Sequence, residues 1–350
     1  MRSAGFLLPG SLGALTGGSI YDRRMVEGLR SREWRVEVHE LDSSFPEPTP
    51  AALTEAASIL STIADSEVVI VDGLAFGAMP DVLEPHHRRL NFVAVVHMPL
   101  ALEFGIDAAV GDWRREQELR ALRIARAVIV TGRSTVDALS QMGHSLPVPV
   151  LVEPGCDTAQ LARGSESGTV QLLSVAAVTP GKGHEALVRV LTGIDGDWIL
   201  RCVGSLTRDT QTASRLAELV NSLSLHDRVS MTGELTPSQL AAEYDLADVF
   251  VLNTRFETYG MAVSEAIAHG LPVVSTRTGA IPDLIGTEAG LLVAVGDEAA
   301  LRAALETMVT DAGVRARYRE GAARARSQLQ PWNTAVDHLA AVLDAIPRHA

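Results

Sequence analysis

Short apolar runs alternate with amphipathic stretches along almost the whole chain, and this alternation leaves few folds open. In the first half the runs fall at Phe6–Pro9, Arg35–Leu41, Glu67–Asp72, Phe92–His97, Ala127–Thr131 and Val148–Glu153. Helical patterns such as Ser19–Arg32 and Asp112–Arg126 lie between them. Runs this short and apolar, separated by helices, predict parallel strands joined by crossovers. The second half repeats the architecture without repeating the sequence. Its predicted strands are Val170–Val178, Trp198–Gly204, Val229–Gly233, Val249–Asn253, Pro272–Thr276 and Gly290–Val295. Its predicted helices are Gly183–Leu191, Thr212–Leu225, Pro237–Tyr244 and Gly260–His269. After Gly296 the chain reads as mostly helical, and QPWNTAVDHLAAVLDAI, from Gln330, is a final amphipathic helix behind a proline break. The polar, glycine-rich Ala162–Thr169 reads as a linker. A length of 350 residues suits two domains of about 150 residues each.

Apolar residues make up 47% of the chain and aromatics only 4%. Such a composition, dominated by Ala, Val and Leu, fits buried parallel strands better than a β-sandwich. Lys and Arg number 30 against 43 Asp and Glu, a formal charge of −13. That balance argues against a general nucleic-acid binder, which needs clustered cations. Any anion must be met by helix N-termini and a few placed cations. Cys156 and Cys202 lack metal-type spacing and are expected to be reduced thiols in a cytoplasmic protein. The opening MRSAGFLLPGSLGALTGGS has no signal-peptide core, and no apolar run approaches a membrane span. DWRREQELRALRIARA carries five arginines. It reads as a solvated helix with Glu116 and Glu118 as partners; contact with anionic lipid or an acidic acceptor is the other reading, so membrane contact is expected to be peripheral at most.

RFETYGMAVSEAIAHGLPVV, residues 255–274, places Glu257 and Glu265 with seven residues between them. The preceding strand DVFVLNT ends at Thr254, and ligands gather at carboxyl ends of strands in doubly wound sheets. Glu257 then sits on a ligand-facing loop. Gly260 permits close backbone approach, and the amides of Tyr259, Gly260, Met261 and Ala262 favour an anion such as a diphosphate. A carboxylate beside such a site suits a sugar hydroxyl. Glu265, a turn further on, suits a second diol, a ribose.

This stretch resembles the E-x7-E signature of family 4 of the retaining, nucleotide-sugar-dependent glycosyltransferases. The resemblance extends along most of the chain: TGGSIYDRRMVEGL looks like the family's N-terminal glycine loop, GKG at 181–183 like its phosphate-lysine turn, and LPVVSTRTGAIPDLI follows in order. It implies an α/β protein of the GT-B fold, two doubly wound Rossmann-like domains facing a central cleft. An acceptor-binding domain at 1–160 would be rejoined by a returning helix at 331–350, and a donor-binding domain would occupy 165–330. It implies Glu257 on donor-sugar hydroxyls, Glu265 on the ribose and Lys182 on the diphosphate. Gly17, Gly18 and Gly233 join the donor-binding set. His97, ending FVAVVHMP, would position the sugar or acceptor. The family's usual Gly-Arg before the lysine is Ala176-Ala177 here, so Arg208 or Arg255 is expected to replace the missing phosphate cation. Asp195-Gly196-Asp197 precedes a strand and reads as a turn, not a metal site; His86-His87 reads as surface. No cofactor and no metal are expected. The implied partners are a nucleotide-sugar donor, with UDP favoured, and a small-molecule, glycan or lipid hydroxyl acceptor. A sugar-nucleotide epimerase and a catalytically weak nucleotide-sugar binder are the alternatives.

Overall fold

The computed structural model describes residues 2–143, 146–165 and 167–347. It divides into two compact units: one runs to Gly155 and resumes at Gln330, the other is Cys156–Leu329.

The first unit is built on six parallel strands: β1 (Ser3–Pro9), β2 (Arg35–Leu41), β3 (Val68–Asp72), β4 (Asn91–Val96), β5 (Ala127–Val130) and β6 (Val150–Leu151), in the order β2-β1-β3-β4-β5-β6. Every residue of β3 and β4 is buried, as expected of strands covered on both faces. One face packs on Phe76, Leu83 and Leu122 and the Pro50–Thr62 helix. The other packs on the Gly17–Arg30 helix and the closing Trp332–Asp344 helix, through Met25, Leu29, Val336, Leu339 and Leu343. The closing helix therefore completes this unit's core. The tail of the 331–350 span, residues 348–350, lies outside the described residues.

The second unit repeats the plan with β7 (Val170–Val175), β8 (Trp198–Val203), β9 (Val229–Gly233), β10 (Val249–Leu252), β11 (Val273–Thr276) and β12 (Gly290–Val293), in the order β12-β11-β10-β7-β8-β9. Strand order reverses between β7 and β10, and the loops after those two strands carry Lys182 and Glu257. Such a topological switch point is where open α/β sheets bind ligands.

One expectation needs correction. Ala162–Thr169 is not a free linker. The Ala162 amide donates to His269 O at 2.8 Å, Gly164 to Asp245 O at 2.9 Å and Ser165 to Asp248 Oδ1 at 3.0 Å. Ala162 itself is buried. Polar composition here serves hydrogen bonding along the second unit, and the chain passes between units at Gly155–Cys156 and Leu329–Gln330. Glu166, within that stretch, is outside the described residues.

Gly28 marks the closest approach of the opening and closing helices. A Cβ there would lie 2.8 Å from Val336 Cγ1 and closer still to Cγ2. Gly28→Ala is expected to lower the unfolding free energy by about 1–3 kcal/mol, the usual cost of overpacking. Adding Val336→Ala should recover part of that loss. Denaturant titration of both variants checks this, and equal stability of Gly28→Ala and the parent chain would show that the helix pair is not tightly packed.

Candidate active site

In the second unit the turn Pro180–Lys182 follows β7 and is stitched to the loop that follows β10. The Arg255 amide donates to Gly181 O at 2.7 Å, Thr254 Oγ1 to the same carbonyl at 3.3 Å, and Asn253 Nδ2 to Gly183 O at 3.2 Å. Gly183 has φ +66°, and a Cβ there would collide with the Asn253 carbonyl, so only glycine fits this crossing. The stitching brings Lys182 Nζ to 2.6 Å from Glu257 Oε2, with the two side chains 28% and 18% exposed. Sequence reasoning assigned these residues to separate ligand groups; the structure makes them one half-buried ion pair.

The rest of the 254–260 loop is equally constrained. Thr276 Oγ1 donates to Thr254 O at 2.5 Å, and the Ala280 amide to Thr258 O at 3.2 Å. The Met261–Ala268 helix starts behind Gly260, at φ +97°, with no side-chain cap. The His184–Leu191 helix likewise starts behind Gly183 without one. Two helix N-termini without side-chain caps therefore flank the Lys182–Glu257 pair, an arrangement that favours anions. Tyr259 is buried at the loop's end. Glu265 accepts from Tyr244 Oη at 2.9 Å, and the Tyr244 ring stacks on His269 at 4.8 Å and 9°. Burial and then the Glu265 charge push the Tyr244 hydroxyl pKa up, so it stays a donor that fixes Glu265. Tyr244 was not anticipated; the helix carrying it, Pro237–Leu246, gave no sign of which neighbour it would reach.

Arg208 is exposed just before the Thr210–Ser222 helix, and its amide donates to Ser205 Oγ at 3.3 Å. Arg255 is exposed on the Glu257 loop. Gly233 closes β9 at φ +76° with open space around it. Ala176 is hydrogen-bonded to Val203 O at 2.9 Å and lies under Gly204, where a Cβ would strike its carbonyl. Asp195–Asp197 is a turn at the amino end of β8, with Gly196 at φ +109°.

In the first unit Gly17 and Gly18 open a helix capped by Thr16, whose hydroxyl accepts from the Ser19 amide at 3.1 Å. Gly18 presses against His97: a Cβ would stand 3.2 Å from the ring's Cδ2. His97 lies one residue beyond β4. Its Nε2 is 3.3 Å from both Asp22 Oδ1 and Asp72 Oδ2, and both carboxylates are almost fully buried. Burial works against the charged ring, but Asp22 and Asp72 outweigh it and lift His97 to about 10. Burial, and then Asp72, raises Asp22 to about 7. Neither aspartate was anticipated. Asp72 had a signal, since it ends an apolar run at a carboxyl end; Asp22 in GGSIYD had none. This is the one grouping among the described residues with metal-ligand proximity, its donor atoms within 4.8 Å of one another.

The arginine-rich helix, Ala108–Leu122, also differs from expectation. Its buried Arg114 pairs with Glu103 at 2.5 Å and Glu47 at 2.7 Å. Glu118 faces inward instead, accepting from the Leu100 amide at 3.0 Å, and burial lifts it to about 8. His86 accepts from Arg89 Nε at 3.0 Å, and His87 Nδ1 lies 2.6 Å from Glu84 O, so the His86-His87 pair is engaged locally.

His184 is buried beside the Pro180–Lys182 turn with neither ring nitrogen partnered. Burial, with a further push from Lys182, brings it from 6.5 down to about 4. The folded chain therefore holds fewer protons on this ring than the unfolded chain does, so its contribution is full above about pH 6.5 and is lost as pH falls toward 4. His184→Leu is expected to flatten the pH dependence of stability across that window, by roughly 3 kcal/mol at most. Parallel acid-side slopes for His184→Leu and the parent chain would place the acid sensitivity elsewhere.

The family described as "Glycosyl transferases group 1" matches residues 159–325, the span that holds Lys182, Glu257 and Glu265. The MMP alpha-(1->4)-mannosyltransferase of Mycolicibacterium hassiacum is 25% identical over 326 residues, 88% of this chain and 78% of that protein. The chain spans about half the length of several further curated relatives. Sucrose-phosphate synthase from Thermosynechococcus elongatus superposes with a TM-score of 0.82 at 19% identity over 98% of both chains. Anabaena HepE, solved in complex with UDP and glucose, superposes at 0.77 and 16% identity, over 98% of this chain and 100% of that one. Both likenesses establish the fold.

Proposed function

We propose that this chain, which belongs to the group 1 glycosyl transferases, moves a hexose from a nucleoside-diphosphate sugar to a hydroxyl acceptor with retention at the anomeric carbon. The observation that carries this reading is the Lys182–Glu257 pair, 2.6 Å apart at the switch point and flanked by two uncapped helix starts. An anion entering there meets an ammonium and two sets of backbone amides. Glu257 steadies the ammonium through one oxygen and has another for sugar hydroxyls. Glu265, braced by Tyr244, takes the ribose. Arg208, exposed on the loop after β8, is the candidate for the cation missing at Ala177. The names of the relatives favour transfer over epimerisation.

Retention is assigned to attack on the face the leaving group departs from. The bond from the anomeric carbon to phosphate oxygen breaks, the acceptor oxygen bonds on the same face, and its proton passes to the departing phosphate. No protein nucleophile is required. UDP as the nucleotide is supported by the UDP bound in the fold's Anabaena neighbour. A cytoplasmic setting is supported by two buried free thiols, and among the described residues no helix is long and apolar enough to cross a membrane.

A nucleotide-sugar panel tests the class of reaction: free nucleoside diphosphate plus glycoside is expected, and a new sugar nucleotide without glycoside would overturn the assignment. Within it, Glu257→Gln is expected to depress turnover more than nucleotide affinity, whereas Glu265→Ala should weaken nucleoside-diphosphate binding by roughly 1–3 kcal/mol. Calorimetry and initial rates separate the two; identical losses in both assays for both variants would sink this division of roles.

The leaving diphosphate is served by Lys182 and helix starts, and the Asp195–Asp197 turn sits at the opposite end of its sheet. Turnover is therefore expected to survive EDTA within about twofold. Loss of activity on chelation, restored by magnesium or manganese, would require a metal in the mechanism.

A further inference from the structure

The second unit also carries a recess that the candidate site does not use. A cavity of about 380 Å³ opens between the Ile281–Ile285 helix and the Ala312–Ala325 helix, a volume suited to one small molecule. Its apolar lining is Leu284, Ile285, Ala325 and Leu329. These side chains join the same core as Val263, Ala266 and Ile267 of the Met261–Ala268 helix. Backbone contacts fix the walls. The Glu288 carbonyl lies against Gly321, where a Cβ would collide with it, and the Gly286 amide donates to Pro282 O at 2.9 Å.

The two helices present opposite charges to this recess. Asp283 stands exposed in the first turn of the shorter helix. Arg324, on the longer one, turns to Glu288 and gives both Nε and Nη2 to its Oε2, at 3.3 and 2.9 Å. That pair is 60% and 66% exposed, so it holds the guanidinium only weakly. A lone anion entering here meets Asp283 and Glu288 as well as Arg324, and a lone cation meets Arg324. A molecule carrying both charges satisfies both walls, and the apolar lining suits an apolar body between them. We propose that the recess binds a small zwitterion with an apolar body, the chemistry of a hydrophobic amino acid, with its ammonium on Asp283 and its carboxylate on Arg324, and that filling it strengthens nucleotide binding at the candidate site. The second half of this proposal deepens the transferase reading and rests on it. The link is the shorter helix. Its Ile281 and Leu284 would stand 3.3 and 3.7 Å from a Cβ on Gly260, the residue behind which the Met261–Ala268 helix starts. The Ala280 amide just ahead of it donates to Thr258 O at 3.2 Å. An occupant joining Asp283 to Arg324 clamps this short helix to its neighbour and steadies the Gly260 backbone, leaving less ordering for the nucleotide to impose.

Calorimetry on the full-length chain, with L-phenylalanine as the probe, tests the site without turnover. Saturable binding with a Kd below about 10 mM is expected. Phenylacetate, which lacks the ammonium, and phenethylamine, which lacks the carboxylate, should each bind roughly tenfold more weakly or worse. Asp283→Asn and Arg324→Gln should show losses of similar size toward L-phenylalanine, with folding verified by circular dichroism; the two analogues keep the test independent of the variants. No binding of L-phenylalanine up to about 50 mM, equal affinity for all three compounds, or unchanged affinity in both variants would each overturn the site. For the coupling, saturating L-phenylalanine should tighten UDP binding about threefold or more, and UDP should tighten L-phenylalanine binding by the same factor, as linkage requires. A UDP Kd that L-phenylalanine leaves unchanged would overturn the regulatory half. Failure of the transferase reading shows separately, as no glycoside from any donor, and leaves the L-phenylalanine titration standing.

Discussion

A single backbone hydrogen bond, from the Arg255 amide to the Gly181 carbonyl at 2.7 Å, organises the candidate site of the second unit. Everything chemical there depends on two loops, from strands on either side of the switch point, being one rigid object. The Thr254 hydroxyl and Asn253 carboxamide reinforce the same join. Glycines at 183 and 279 make it sterically possible, since a Cβ at Gly279 would run into the Glu257 carbonyl. With the loops fused, Lys182 and Glu257 meet without either side chain being freely mobile. The ion pair is then a product of backbone geometry, and little of its position is left to side-chain entropy.

The first unit solves a similar problem by burial. Two carboxylates that would repel each other are held together by one imidazole between them. Part of their desolvation cost is offset by attraction to the imidazole they share. Asp22, raised to about 7 by burial and then by Asp72, and His97, raised to about 10 by both aspartates against its burial, are two faces of one interacting group. Both units thus present a cation neutralised from behind: Lys182 by Glu257, His97 by the aspartates.

Much of the fold was legible in the sequence because strands buried on both faces must be short and apolar, and all twelve emerged within a few residues of expectation. The Pro50–Thr62 and Arg133–Met142 helices were passed over. The first is rich in Ala, Ser and Thr and weakly periodic, and the second is a short element of 10 residues with few apolar positions. Glu257, Lys182, Gly260 and His97 were legible because chain signals place them at strand ends. Their partners were not. Asp22, Tyr244 and the true neighbours of Arg114 are set by tertiary contacts across 75, 21 and 67 residues of sequence. Single-chain patterning holds no information at that range. The Ala162–Thr169 segment misled for the same reason, since polar residues that bond to a distant loop look like polar residues that bond to water.

The second unit is one continuous stretch, whereas the first is interrupted and regains its last layer only with the Trp332–Asp344 helix. On the ribosome this order matters. The Cys156–Leu329 unit can close its core as soon as its own residues have emerged. The earlier-made sheet meanwhile waits with Met25 and Leu29 uncovered until Val336, Leu339 and Leu343 arrive. During that interval the nascent protein offers an apolar face to chaperones, and a chain cut short before Gln330 would keep offering it. The closing helix thus supplies the last layer to a sheet whose strands were all made before the second unit began.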